Sequence, residues 1–445
     1  MNRRTFIQLL FLIWASKAIP QSSKKKAKVL VLGAGISGLA AAKDLQNNGF
    51  EVLVLEARSR IGGRIHTFHE WGYPMDLGAS WIHGLDKNPI TQLAKEANLH
   101  LMETDYESLQ FWSQGKEFDY LSKIRSAKEF QSMEDELEEF TQNLKKDVSL
   151  NELFIKAREN LDSSRRPLIE WLFLTHESNL AESLDRVSAI SFFKEAELFA
   201  GEDAIFERGY EGITNYIARG LDIRSNQIVI KIQSTAKEVQ VKTDKETFSA
   251  DFCLVTLPLG VLKKGNVHFS PELKPNKKEA LNRLNMGLLN KLYAEYDEPF
   301  WDKSSVSLGI RPEKQDFRFF LNYLPFFGKS TLVGFLPGDF GRAAERLSES
   351  SLKEMLTKRL RQEIGKQIPV PKRVYLTRWN SDPFAFGSYS YFPIGSTGKD
   401  MLTLGESDGR LFFAGEHTSP KYYGYVHGGY LSGLRAAKEI KSSLL

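Results

Sequence analysis

The strongest constraint in the sequence is a glycine-rich turn between a short apolar run and an alanine-rich stretch. The run KVLVL at 28–32 leads through GAGISG at 33–38 into LAAAKDL at 39–45. A short apolar run that stops at glycine favours a buried parallel strand, and alanine with leucine favours a helix. A second apolar run, EVLVL at 51–55, ends at Glu56. The sequence therefore predicts a βαβ unit at the start of an open parallel sheet.

The spacing of the three glycines predicts a dinucleotide site. Gly33 permits a tight bend, Gly35 lets the backbone approach a pyrophosphate, and Gly38 allows close helix packing. The first turn of the helix, which contains Ser37, offers free amide groups to the phosphates. Glu56 stands where a carboxylate accepts hydrogen bonds from an adenosine ribose. This motif alone does not separate NAD from FAD.

Length, charge and cysteine content narrow the class of protein. A chain of 445 residues favours two or more domains. Its net charge of +4 comes largely from the first 28 residues, so the body gives no reason to expect nucleic-acid binding. Because Cys253 is the only cysteine, an intrachain disulfide and a cysteine metal cluster are excluded.

Six further short motifs, in four groups, follow the glycine turn in order. EARSRIGGR at 56–64 continues from the acidic residue, and DLGASWIHG occupies 76–84. TLPLGVL at 256–262 and LNK at 289–291 come next, and FAGEHT at 413–418 precedes GYVHG at 424–428. Through most of the chain beyond residue 27, this pattern resembles the flavin-containing amine oxidase family, nearest to polyamine oxidases and lysine-specific histone demethylases. The resemblance implies bound FAD and oxidation of a small-molecule amine, with no metal.

The resemblance also implies the cofactor residues. The flavin is expected to be non-covalent, because residues 421–425 contain no cysteine. Gly78, Ala79, Ser80 and Trp81 are expected beside the isoalloxazine, with Trp379 packed on the ring and Val229 at the adenine. The residues expected to hold the remaining parts of FAD are Gly33, Gly35, Ser37, Gly38, Glu56, Ala57, Arg58, Gly63, Arg64, Gly415, Glu416, Tyr425 and Val426.

Four residues are predicted to serve catalysis and substrate binding. Leu289, Lys291 and Tyr293 share one face of a predicted strand, because alternate residues point to the same side. From this pattern alone, Lys291 would be expected to be an exposed lysine. In the resembled family a lysine in this context holds a water near the flavin. His83 is expected to touch the amine or to accept its proton, and Tyr389 and Tyr425 to flank the amine. A structural histidine and tyrosines packed in the core are the alternatives.

The predicted reaction is hydride transfer from a polyamine to flavin N5, followed by imine hydrolysis and reoxidation by O2 to hydrogen peroxide. A monoamine oxidase or an L-amino-acid oxidase on the same scaffold is an alternative. The latter needs an arginine to bind the substrate carboxylate, for which Arg208 and Arg378 are candidates. A flavin-bearing interaction protein is an alternative of another class. Glu177 and Glu182 are the acidic candidates for a polyamine channel, although a solvated surface position is expected for both.

The fold class predicted from these segments is α/β, with a Rossmann-type FAD-binding domain in three segments and an inserted α+β substrate-binding domain that carries a mixed sheet and helices. Helical periodicity dominates from about residue 88 to residue 207. The predicted boundaries are 1–26 for an export signal and linker, 27–84, 206–263 and 405–445 for the FAD-binding domain, and 85–205 and 264–404 for the substrate domain.

The N-terminus resembles a twin-arginine export signal. Arg3 and Arg4 precede an apolar run at 7–15, and small residues follow at Ser16 and Ala18. This pattern predicts a periplasmic or extracellular enzyme with no stable membrane span after processing. A short membrane anchor and a disordered basic tail on a cytoplasmic protein are the alternatives.

Overall fold

The computed structural model describes residues 26–159, 161–195, 197–314 and 316–444. The segment predicted to be an export signal lies almost entirely outside these residues. Among the described helices, none combines the length and apolar character needed to cross a bilayer.

A five-stranded parallel sheet forms the first half of the fold. Its strands come from three distant stretches of the chain, so the sheet closes only when these stretches meet. This arrangement confirms the predicted α/β fold class, whereas the exact domain boundaries stay a prediction. In spatial order the strands are Asp222–Arg224, Glu51–Leu55, Lys28–Leu32, Phe252–Val255 and Leu411–Phe413.

Two helices, Ile36–Asn47 and Val426–Ser442, lie side by side on this sheet. Near their starts, the hydroxyls of Ser37 and Ser432 are 3.1 Å apart. Near their ends, Lys441 Nζ donates to Asp44 Oδ2 at 2.6 Å. Since start meets start and end meets end, the helices run parallel and both N-termini lie at the same edge of the sheet.

A seven-stranded mixed sheet forms the second half. The order of its strands is Arg373–Leu376, Leu289–Glu295, Thr331–Pro337, Phe319–Asn322, Ser307–Ile310, Leu109–Ser113 and Lys116–Glu117. Only the pairing of 307–310 with 109–113 is parallel, and the others are antiparallel.

A three-stranded sheet links the two halves, with Asp203–Phe206 between Trp81–Ile82 and Leu101–Thr104. The prediction that helical periodicity dominates from about 88 to 207 holds for most of this stretch but missed the short strands at 101–104, 109–113, 116–117 and 203–206. The strands there are too short to show a period of two against the surrounding helices.

The remaining elements complete the two halves. A four-stranded sheet has the order Thr247–Ala250, Val239–Thr243, Val229–Ser234 and His268–Ser270. Two small pairs join Thr67–Phe68 to Met75–Asp76 and Asn285–Met286 to Ser390–Tyr391. The other described helices are Pro89–Glu96, Tyr120–Gln142, Leu150–Arg158, Arg166–Leu180, Ala189–Glu195, Glu211–Ala218, Leu259–Lys264, Pro275–Arg283, Leu324–Phe327, Gly338–Ala344, Glu349–Glu363, Gly398–Gly405 and the 3₁₀ turn Glu416–Thr418.

Candidate active site

The glycines of the first turn differ in what surrounds them. Gly33 has φ +110°, and a Cβ on Gly38 would lie 2.0 Å from the carbonyl oxygen of Gly33. The fold itself therefore requires both. Gly35 has ordinary extended dihedral angles, and the nearest atom to a Cβ there is Gly62 O at 4.0 Å. The protein leaves room beside Gly35, as a pyrophosphate at this turn requires.

Both parallel helices present uncapped N-termini at this edge. Gly35 and Tyr425 are the N-cap residues. Gly35 has no side chain, and that of Tyr425 accepts no capping hydrogen bond. Neither first turn contains an acidic residue. Unpaired amide groups and the positive ends of the helix dipoles therefore converge here. Such a site suits a phosphate or another electron-rich group. The hydroxyl of Ser37 is directed to Ser432, so only its backbone amide can serve this site.

The ribose end of the site centres on Glu56, which is 6% exposed. Its carboxylate accepts hydrogen bonds from the amides of Ala34 and Arg58, each at 2.8 Å. The amide of Gln227 donates to the Glu56 carbonyl at 2.8 Å, which brings the buried Val229 to this end of the sheet. A buried carboxylate with free lone pairs matches the hydroxyls of an adenosine ribose.

Arg58 makes its contacts within the protein. Its guanidinium donates to both carboxylate oxygens of Asp382, at 2.7 and 2.9 Å, and lies 5.2 Å from the centre of the Phe384 ring. The backbone of Arg58, rather than its side chain, thus contacts Glu56.

A buried ion pair connects the G-G-R segment to the second helix N-terminus. Arg64 Nη1 donates to Glu416 Oε1 at 2.8 Å, and Glu416 also accepts from Ser390 Oγ and from the amide of Gly424. Burial alone would raise the pKa of Glu416, but the charge of Arg64 and these hydrogen bonds lower it to about 2. Gly415, with φ +142°, lets the chain turn here without a clash with His417.

The segment expected beside the flavin is tightly fixed. A Cβ on Gly78 would lie 1.7 Å from Arg64 O and 3.3 Å from Trp379. Trp379 is buried, and its Nε1 donates to Leu77 O at 2.9 Å. The Ala79 amide donates to Arg64 O at 3.3 Å. The glycine turn, the two helix N-termini and the buried Glu56 carboxylate offer the groups that the pyrophosphate and ribose of FAD require. The predicted cofactor residues joined through this edge are Gly33, Gly35, Ser37, Gly38, Glu56, Gly63, Arg64, Gly78, Ala79, Gly415, Glu416, Tyr425 and Val426.

Lys291 lies next to this segment and is 4% exposed. Its Nζ donates to Asp76 O at 2.7 Å, to Gly78 O at 2.6 Å and to Ser80 Oγ, and it lies 5.7 Å from the centre of the Trp81 ring. Burial lowers the pKa of Lys291, and the Asp76 carboxylate only partly opposes this effect. The exposed position expected for an isolated lysine is therefore wrong, because three acceptors from the 76–80 segment surround the amine.

Of the predicted substrate-side residues, His83 and Tyr425 are in contact, and the Tyr389 ring lies against Gly424, next to Tyr425 in sequence. The Tyr425 ring contacts His83 edge to face at 5.2 Å and stacks on His427 at 5.0 Å. Burial raises the pKa of Tyr389, and the nearby Tyr425 hydroxyl raises it further. Tyr389 donates to the carbonyl of Ser178. His83 in turn lies 6.2 Å from Trp81, so this group adjoins Lys291.

Asp203, Tyr106 and Asn88 lie in this region but were not predicted from the sequence. Asp203 Oδ2 accepts from His83 Nδ1 at 2.7 Å and from the Tyr106 hydroxyl at 2.9 Å. Asn88 Nδ2 donates to the His83 carbonyl at 3.0 Å and lies 3.4 Å from His427 Nδ1. None of the three belongs to a motif, and only the pairing of 81–82 with 203–206 would have pointed to Asp203.

A comparison with known protein families identifies the chain. The family model described as flavin containing amine oxidoreductase matches residues 36–441. The chain belongs to this family. The match confirms the predicted family, the enzyme class and the flavin cofactor, while the roles of individual site residues stay predictions.

Relatives of this amine oxidoreductase carry two kinds of name. It is 32% identical to polyamine oxidase 2 of Arabidopsis thaliana over 95% of this chain and 89% of that protein. It is 35% identical to lysine-specific histone demethylase 1 homolog 2 of the same plant, over 95% of this chain but only 59% of that protein. A structure of putrescine oxidase bound to putrescine has the same fold, with a TM-score of 0.80, 21% identity, and coverage of 94% of this chain and 99% of that one.

Two minor expectations for this amine oxidoreductase are wrong. Glu177 and Glu182 are not on a solvated surface, because Glu177 accepts from the buried Arg318 at 3.0 Å and Glu182, 1% exposed, pairs with Arg342. Glu177, in helix Arg166–Leu180, pairs with Arg318 next to strand Phe319–Asn322, whereas Glu182, just beyond that helix, pairs with Arg342 in helix Gly338–Ala344.

Neither arginine proposed to bind a substrate carboxylate lies beside Tyr389 and Tyr425, which are called the tyrosine pair below. Arg208 is exposed, and Arg378 is exposed and donates to the carbonyls of Glu345 and Leu376.

Proposed function

We propose that this amine oxidoreductase oxidises a polyamine, with non-covalent FAD as its cofactor and O2 as the final electron acceptor. The names of its relatives support a polyamine or diamine substrate. The observation that carries the proposal is the carboxylate of Asp203, which accepts from His83 Nδ1 at 2.7 Å, while the His83 ring lies 5.2 Å from the Tyr425 ring. A carboxylate attracts a cationic amine and repels the carboxylate of an amino acid.

FAD held at the Gly35 and Tyr425 helix N-termini would supply an acceptor for a hydride equivalent from the carbon next to the amine nitrogen, and O2 would then take up the electrons as hydrogen peroxide. Tyr389 and Tyr425 confine the amine between aromatic rings, whose faces also attract its cationic form. The buried segment 76–80 and the rings around Trp81 keep bulk water away. Lys291 assists reoxidation, since its three N–H groups already donate to the 76–80 segment and leave none for ordering a water.

The position of Cys253 supports the proposal of non-covalent attachment. Its thiol is completely buried in the parallel sheet, and burial raises its pKa. Acid precipitation is expected to leave a colourless protein pellet and a yellow supernatant. A yellow pellet would show covalent attachment.

The substrate class can be tested by anaerobic reduction of the purified yellow protein. Spermine, spermidine, putrescine, an aromatic monoamine and L-amino acids are added separately, and flavin absorbance is followed. Bleaching by at least one of the three polyamines, faster than by the monoamine or amino acids, is expected. Bleaching by amino acids alone would contradict the proposal.

The role of Lys291 can be separated from that of an ordinary buried lysine. Lys291→Met is expected to slow reoxidation by O2 at least tenfold while anaerobic bleaching is retained. Lys277→Met is the matched control, since Lys277 is 2% exposed and donates to three carbonyls elsewhere. Unchanged reoxidation in Lys291→Met would remove the assigned role.

We also propose export through the twin-arginine route, on the basis of Arg3 and Arg4 and the apolar run that follows. In a bacterial host with this route, the wild type is expected in the periplasmic fraction with FAD bound. Replacement of both arginines by lysine should retain it in the cytoplasm. Equal distribution of the two proteins would contradict export by this route.

A further inference from the structure

The imidazole of His83 is held in one tautomer by Asp203. The carboxylate accepts from Nδ1 at 2.7 Å, so Nδ1 carries a proton and Nε2 of the neutral ring carries a lone pair. Nε2 has no hydrogen-bond partner among the described residues, and the side chain is 36% exposed. His83 therefore presents a proton acceptor next to the Tyr425 ring.

Asp203 is itself firmly positioned by three donors. Besides His83, the Tyr106 hydroxyl donates to Oδ2 at 2.9 Å and the Gly84 amide donates to Oδ1 at 2.8 Å. Burial favours the neutral acid, but the hydrogen bonds from His83, Gly84 and Tyr106, together with the positive charge that His83 carries when protonated, hold the pKa of Asp203 below its ordinary value. The carboxylate is therefore ionised at neutral pH.

Among the described titratable residues that lie beside His83, Asp203 supplies the negative charge. The others are the phenols of Tyr106 and Tyr425 and the imidazole of His427. Burial lowers the pKa of His427 to about 3 and raises that of Tyr425 to about 12, so both are neutral at pH 7. A positive charge that forms on His83 is thus stabilised by Asp203.

We infer that Asp203 is a positioning residue that makes His83 the proton acceptor for the ammonium form of the substrate. This inference rests on the proposed function. In the step, the substrate N–H bond breaks, its electron pair stays on nitrogen, and the proton bonds to Nε2 of His83. The substrate becomes a neutral amine, the form that can lose hydride, and the imidazolium is paired with Asp203. Asp203 does not touch the substrate in this step.

A double-mutant cycle tests whether Asp203 acts through His83. The rate of anaerobic flavin reduction is measured for wild type, His83→Ala, Asp203→Asn and the double variant. The substrate is whichever of spermine, spermidine and putrescine bleaches the wild type fastest. Each single variant is expected to lose tenfold to a hundredfold in the limiting rate. Asp203→Asn is expected to cost less than threefold more when His83 is already alanine.

Glu202→Gln is the matched control, because it removes a neighbouring exposed carboxylate. It is expected to reduce at the wild-type rate. FAD content and thermal midpoint are measured for every variant, to separate loss of fold from loss of proton transfer. Equal losses from Asp203→Asn in both backgrounds, or no loss in either, would overturn the inference. If no polyamine reduces the wild type, the proposed function fails instead.

Discussion

The cofactor edge, where the glycine turn at 33–38 meets the two helix N-termini, and the tyrosine pair are built in different ways. At the cofactor edge, backbone groups dominate: glycines, helix N-termini and amides that meet a buried carboxylate. At the tyrosine pair, side chains dominate, and His83, Asp203, Tyr389 and Tyr425 come from four distant segments. Backbone geometry tolerates almost no substitution, whereas side-chain contacts can be exchanged in small steps. Changes at the first region should therefore abolish FAD binding, and changes at the second should adjust rates.

The largest effect is expected from Gly38→Ala. The added methyl would lie 2.0 Å from Gly33 O and 3.0 Å from Thr256 Oγ1, so the turn or the helix must move. We expect a loss of about 3 kcal/mol in the free energy of unfolding of the FAD-free protein, because overpacking a closed contact has a cost of this size. Chemical denaturation of the FAD-free protein measures it. An unchanged free energy would show that the helix is less tightly packed than described.

Gly35→Ala should affect only the cofactor. Its new methyl meets no protein atom closer than 4.0 Å, and its backbone angles suit alanine. FAD affinity is expected to fall at least a hundredfold, because the methyl occupies the space left for the pyrophosphate. The free energy of unfolding without FAD should change by less than about 1 kcal/mol. Titration of the FAD-free protein with FAD gives the affinity, and full retention of binding would contradict the assignment of this edge.

An intermediate effect is expected from acid. Burial lowers the pKa of His427 from its ordinary 6.5 to about 3. Between these values the unfolded chain binds a proton that the folded chain does not, so the free energy of unfolding falls as pH falls. From pH 7 to pH 5 this residue should account for a loss of about 2 kcal/mol.

His427→Phe keeps the ring stacked on Tyr425 and should remove this part of the pH dependence. Urea denaturation at pH 7 and at pH 5 measures the difference. His268→Gln, at an exposed histidine, serves as the control and should leave the loss unchanged. If His427→Phe loses as much stability on acidification as the wild type, another group is responsible.

The smallest effect is expected from Tyr425→Phe. The ring that flanks the amine stays, and only a hydroxyl is lost, so kcat/KM should fall by no more than about threefold. Tyr425→Leu should cost about fivefold, or about 1 kcal/mol, because the aromatic face is gone. Oxygen consumption with the best amine measures both. A phenylalanine variant as poor as the leucine variant would assign the effect to the hydroxyl.

The difference between the regions also explains what could be predicted. The strands Lys28–Leu32 and Glu51–Leu55 coincide with the predicted runs, because apolar periodicity and glycine act over a few residues. The burial of Lys291 could not be predicted from its neighbours in sequence, because it depends on carbonyls of the distant 76–80 segment. The family resemblance identified the lysine, but only the fold explains its burial.

The missed residues share one cause. Asp203 acquires its partners through pairing of 203–206 with strands that begin a hundred or more residues earlier, and no nearby residue signals this pairing. Glu182 is buried because Arg342, far along the chain, pairs with it. In both cases a charged residue that looks solvated in sequence is placed by a partner from another element.

The parallel packing of the Ile36–Asn47 and Val426–Ser442 helices has a consequence for biosynthesis. Gly433 packs on the backbone of Ser37, and the second helix supplies one of the two N-termini at the cofactor edge. A nascent chain on the ribosome therefore contains the glycine turn long before it contains both helix N-termini of the cofactor edge. We therefore expect stable binding of FAD only after residues 426–442 have been synthesised and have packed against the first helix.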